Sequence, residues 1–140
     1  MVGFGSSRYL LFCTALALCG QSSVRDGVYT VAQAARGESG YQKNCASCHG
    51  DKLEGRGQAP ALAGDEFASA WKGMTLGDLF EQMQTTMPAD RPGQLSKAQN
   101  ADILAYLLKF NGYPAGAKEL PADAAALHKI RIDEKTALVQ

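Results

Sequence analysis

Apolar residues recur three and four apart through most of residues 29–110, the period of helices that bury one face. The strongest run, 97–110, carries Ile103, Leu104, Tyr106, Leu107 and Leu108. Ser96 and Gln99 form a capping box in front of it, and Asn111-Gly112 closes it. A second box, Thr75 with Asp78, opens a helix striped by Leu76, Leu79, Phe80 and Met83. That helix should stop near Thr85 or Thr86, because Pro88 disfavours helical geometry in the residue before it. Residues 29–44 are Ala-rich and helical, with Gly37, Tyr41 and Cys45 four apart on one face. A glycine there admits a second helix at close range, and the aromatic a turn later plugs the contact; the plainer reading is a glycine loosening an exposed helix. Short helices are predicted over 65–71 and 121–129, the latter turning Ala124, Leu127 and Ile130 inward. Glycines at 50, 55, 57 and 64, with Pro60, mark a loop. No segment repeats and none reads as a firm strand, so the expected fold class is all-α, with about four to five helices.

The ends have a different character. Arg8 precedes an apolar stretch, 9–19, too short to span a membrane, and Ala15-Leu16-Ala17 is a cleavage pattern. Residues 1–17 therefore read as a secretion signal. The run Leu16-Ala17-Leu18-Cys19-Gly20 is an imperfect lipoprotein box, which makes Cys19 a candidate lipid anchor; otherwise Cys13 and Cys19 are apolar members of a discarded leader. Residues 18–28 read as a disordered linker, 29–113 as the folded domain and 114–140 as a C-terminal extension thin in apolar residues after 131.

Chemistry enters with Cys45-Ala46-Ser47-Cys48-His49, the C-x-x-C-H of covalent c-type haem attachment. On a helical turn Cys45 lies near Cys48 (i, i+3) and near His49 (i, i+4). Two thiols can then bond the two vinyl groups of one haem edge while the imidazole reaches the iron. Iron fixed in this way suits electron transfer. Two other readings use the same residues. A redox dithiol lacks the strand-helix-strand setting it needs. A zinc site lacks a second C-x-x-C, and the remaining histidine, His128, is distant. The 85 or so residues of the domain make a small core. A buried haem would fill and staple it, so the apoprotein is expected to be poorly folded. Lys and Arg total 14, balanced by 14 Asp and Glu, and no basic run points to nucleic acid or an anionic membrane.

With His49 on one face of the iron, the other position has four candidates: Met74, Met83, Met87 and His128. Methionine is ordinarily core filler. Met83 fits the stripe of its helix. Met87 instead follows a helix, sits among Thr85, Thr86, Ala89 and Asp90, and is held extended by Pro88, so iron ligation gives its place a reason. A thioether is a soft, weak donor that favours ferrous iron, and two filled axial positions suit a carrier. A ligating histidine usually donates its other N–H to a carbonyl. Pro60, eleven residues on, is a plausible acceptor; it also reads simply as a turn residue. Trp71 is either a core residue or a donor to a haem propionate. Arg56, Lys72 and Arg91 read first as solvated charges.

These residues together resemble the class I c-type cytochromes over roughly 29–113. Cys45-Ala46-Ser47-Cys48-His49-Gly50 resembles the attachment site, and Gly37 and Tyr41 fall on the family's N-terminal helix. Asp102-Ile103-Leu104-Ala105-Tyr106-Leu107 resembles the C-terminal helix that crosses it. Pro60-Ala61-Leu62 and Met87-Pro88 resemble the loop that receives the histidine N–H and the distal ligand segment. The stretch 67–90, with Trp71, Thr75-Leu76 and Met87-Pro88, continued by Arg91-Pro92-Gly93 and, after the last helix, by Asn111-Gly112-Tyr113-Pro114-Ala115-Gly116, is similar to haem domains found with periplasmic quinoprotein dehydrogenases. The resemblance implies an all-α cytochrome c-like fold around one covalent haem c, with Cys45 and Cys48 holding the haem and His49 and Met87 on the iron. It implies an exported, periplasmic electron carrier, not an enzyme by itself. Such a carrier would run between a dehydrogenase and a terminal oxidase or another cytochrome. The alternatives are a dedicated haem subunit of a dehydrogenase complex, suggested by the tail, and an open-site haem enzyme or gas sensor, which requires that Met87 not ligate.

Overall fold

The computed structural model describes residues 20–133. The leader, Cys19 and the last seven residues lie outside them. The elements run in the order β1 (Ser22–Ser23), a 3-10 turn (Val24–Asp26), α1 (Val31–Asn44), α2 (Ala46–His49), α3 (Gly64–Trp71), α4 (Leu76–Thr86), α5 (Lys97–Phe110), α6 (Ala124–Leu127) and β2 (Ile130–Arg131). Among the described residues no helix is long and apolar enough to cross a membrane.

Helix starts follow local chemistry. Thr75 and Asp78 form the expected capping box on α4, and Ser96 and Gln99 form the one on α5. Helix α1 begins two residues later than predicted, because the Thr30 hydroxyl accepts from the Gln33 N–H and caps it there. Helix α4 ends at Thr86, and Met87 is already extended at φ −117°, ψ 151°.

The central packing is α1 across α5. Gly37 is buried at the crossing, and a Cβ there would overlap the Asp102 carbonyl oxygen, so any larger residue forces the helices apart. One turn on, the Tyr41 ring lies 5.4 Å from Tyr106, which in turn meets Phe110 at 6.0 Å. Arg36 clamps the crossing from outside, with two bonds of 3.0 Å to the Asp102 carboxylate and one of 2.9 Å to Glu119. Two apolar clusters result. One joins α4 and α5 to both chain ends; the other, around Tyr41, Leu53, Ile103 and Leu107, backs α2, and Met83 packs against both.

One expectation about the ends needs correction. The stretch read as a linker, 18–28, is held to the body from Ser22 onward. Ser22 and Ser23 pair in parallel with Ile130 and Arg131, and Val24 is completely buried. Val24 and the partly buried Val28 suffice because their partners, including Leu127 and Ile132, come from the C-terminal segment. The tail also packs on the body through residue 133. Gln33 grips Leu120 from both sides, donating to its carbonyl at 3.1 Å and accepting from its N–H at 2.8 Å. Leu120, Leu127 and Ile132 are buried. The sequence carries no signal for the two-residue strand pair, and with it the all-α description holds, with six α-helical segments among the described residues, two of them a single turn.

Candidate haem site

The attachment motif is built on a break between α1 and α2. Cys45 closes α1 with its N–H bonded to the Tyr41 carbonyl and then starts α2. The Tyr41 hydroxyl donates to the Gly50 carbonyl at 2.7 Å, tying the end of the motif to the α1–α5 crossing. Cys45 is partly buried, Cys48 exposed, and neither is in a disulfide. Burial, and secondarily the neighbouring Cys48, pushes the Cys45 thiol up to about 11. A redox dithiol needs the opposite, a thiolate formed easily near neutral pH. The dithiol alternative therefore lacks the electrostatics as well as the fold it requires.

His49 is 7% exposed. Its Nδ1 lies 2.8 Å from the Pro60 carbonyl oxygen. A carbonyl only accepts, so Nδ1 carries the proton and Nε2 keeps a free lone pair. The loop that delivers Pro60 folds back at Gly55, whose φ is +79°; a Cβ there would meet the backbone of Ala59 and Ala61 at 2.7 to 2.8 Å. The Gly55 N–H also binds the His49 carbonyl at 2.7 Å, so both ends of the residue are held.

In front of His49 lies a cavity of about 570 Å³. All six expected site residues, Cys45, Cys48, His49, Pro60, Trp71 and Met87, line it. Its remaining wall is largely apolar, with Leu79, Met83, Leu95, Ile103 and Leu107. Of the four candidate second ligands, Met83 and Met87 reach it. Met74 is 40% exposed and does not line it. His128 sits instead on the first turn of α4, where Gly77 leaves room for its ring. Thr75 gives its hydroxyl proton to Asp78 at 2.7 Å, so the His128 Nδ1–H donates to Thr75 Oγ1 at 2.9 Å. Arg91 lines the cavity and bonds Gln94 and Asp90; Arg56 pairs with Asp51 and Glu54 away from it.

The cavity fits a haem. It offers two free thiols, an imidazole with its outer nitrogen available, thioethers and apolar walls, at a volume typical of cofactor sites, roughly 300–1,000 Å³. Among the described residues no cluster of three or more His, Cys, Asp or Glu is placed to hold a metal ion directly, which a zinc site would need.

Two residues shape the site in ways the sequence alone does not show. Asn111 appears there as a helix stop. In the structure its amide donates to the carbonyls of Leu62 and Leu107, both at 2.9 Å, and its oxygen accepts from the Gly64 N–H at 3.1 Å, pinning the end of the Pro60 loop to α5. Asn100 lines the cavity at 1% exposure. Its position on the stripe of Ile103, Leu104 and Leu107 was the available signal.

Residues 32–107 match the family model described as cytochrome C oxidase, cbb3-type, subunit III. Among solved structures, the crystal structure of the sulfane dehydrogenase SoxCD from Paracoccus pantotrophus is similar, with a TM-score of 0.46 and 26% identity, over 81% of this chain and 60% of that one. No curated protein matches.

Proposed function

The chain belongs to the family of the cbb3-type cytochrome c oxidase subunit III, c-type cytochromes that transfer electrons on covalently bound haem, and from that footing we propose that it is a periplasmic carrier of one electron between a dehydrogenase and a terminal oxidase or another cytochrome. The observation that carries this reading is the convergence of Cys45, Cys48, His49 and Met87 on one cavity. Bound haem supplies a reversible one-electron centre. Cys45 and Cys48 would each form a thioether with it. His49 would ligate through Nε2, with Pro60 fixing the tautomer and raising the basicity of the ring. Met87 would be the sulfur ligand. Its place just past the α4 C-terminus supports this reading over Met83, which packs against both apolar clusters.

The largely apolar wall would limit water at the centre, and two protein ligands would leave no vacant position for a substrate. This favours a carrier over an enzyme or gas sensor. The carrier reading also gains on the dedicated-subunit reading, because the tail buries Leu120, Leu127 and Ile132 against its own body instead of offering them to a partner. Export to the periplasm rests on the leader-like residues 1–17, and the pattern at Cys19 would add a lipid anchor.

Spectroelectrochemical titration of the purified protein tests the proposal. A reversible transition with n = 1, no carbon monoxide uptake by the reduced form, and reoxidation by cyanide-sensitive respiratory membranes are the expected results. Rapid carbon monoxide binding by the untreated reduced protein would contradict it.

A further inference from the structure

We propose that Asn100 donates a hydrogen bond to an acceptor placed by the bound haem, either a propionate oxygen or the sulfur of the iron-bound methionine. The inference deepens the haem reading and rests on it. Asn100 belongs to the buried stripe of α5: Ile103, Leu104 and Leu107 stand three, four and seven residues further on, all buried. An apolar residue would serve packing there. The amide nitrogen is instead buried without a partner, and among the described residues it is the one buried side-chain nitrogen or oxygen so left.

A buried donor with no acceptor carries its full desolvation cost. The fold meets this cost elsewhere: Gln33 is satisfied by Leu120, Asn111 by three backbone groups and His49 by Pro60. The exception stands in the wall of the cavity, which Met87, Met83 and Leu95 also line. An acceptor that arrives with the cofactor resolves it. Donation to the thioether draws electron density from the sulfur, and donation to a propionate offsets its negative charge. Both favour the ferrous state.

Asn100→Thr and Asn100→Val compare two side chains of nearly equal shape, one with a donor. The valine variant should shift the ferrous/ferric equilibrium toward ferric about threefold to tenfold relative to the threonine variant, the upper figure corresponding to about 59 mV. If the acceptor is the thioether, the far-red ferric band moves too and imidazole displaces the ligand at lower concentration. If it is a propionate, the potential moves alone. Coincident potentials in the two variants would overturn the inference. Should either fail to accumulate, Asn100→Ser and Asn100→Ala make the same comparison with the same two outcomes. A wild-type protein without covalent haem would defeat the functional reading itself; a normal wild type with coincident variants defeats only the role of Asn100.

Discussion

The imidazole of His49 donates from Nδ1 to the carbonyl oxygen of Pro60 across 2.8 Å, a bond that spans eleven residues of loop and decides which nitrogen faces the cavity. That loop depends in turn on Asn111, which holds its far end at Leu62 and Gly64. Asn111→Leu removes three hydrogen bonds and leaves backbone groups of the loop unpaired. The expected loss is about 2–3 kcal/mol. Urea unfolding of the oxidised holoprotein checks it, and an unchanged midpoint would show that the loop is held by other means.

Met87→Ala should leave haem attached, since both cysteines remain. Losing a soft ligand that favours ferrous iron should lower the reduction potential, and the open position should bind carbon monoxide. The far-red ferric band should vanish. Spectra and potential unchanged from wild type would move the sulfur ligand elsewhere, with Met83 the next residue to test.

Gly37→Ala places a methyl group on the Asp102 carbonyl. Backbone cannot yield as a side-chain tip can, so α1 and α5 must separate, at a cost of about 1–3 kcal/mol. Denaturation of the holoprotein measures this. A neutral substitution would mean that the crossing is looser than the packing of Tyr41 on Tyr106 requires.

Leu127→Ala tests the strap formed by the C-terminal segment. The side chain is fully buried in the cluster that also contains Val24, so about 2–5 kcal/mol should be lost. The haem spectrum should not change, because Leu127 does not line the cavity. A spectral change with stability intact would reverse the assignment.

The same face should show acid sensitivity. The Thr75 hydroxyl, then the Thr75 N–H, hold the Asp78 carboxyl below the usual aspartate range, with His128 adding a little. A carboxyl whose folded value is depressed stabilises fully above its unfolded value and loses that contribution as pH falls through the folded one. Thr75→Val should therefore flatten the fall of stability in that acid window. An unaltered acid limb would show that Asp78 contributes nothing there.

What was legible in the sequence was local or chemically singular. The two capping boxes lie within four residues of the helices they start, and C-x-x-C-H is set by one turn of helix. Non-local partners were harder. Val24 reads as an apolar residue in a polar stretch until Leu127 and Ile132 arrive from a hundred residues away. His128 reads as a candidate ligand until Gly77 makes room for it on α4. Asn111 was absorbed by the helix stop it also performs. Asn100 differed from its stripe only in polarity, and a single polar residue on a helix face is ordinarily turned to solvent.

The most direct measurement is the visible spectrum of the exported, full-length protein, oxidised and reduced, before and after acid extraction in organic solvent. The account predicts haem that cannot be extracted, a c-type ferrous spectrum and a ferric far-red band from thioether ligation. A colourless product of a competent export and maturation host, or colour lost wholly to the solvent, would contradict it.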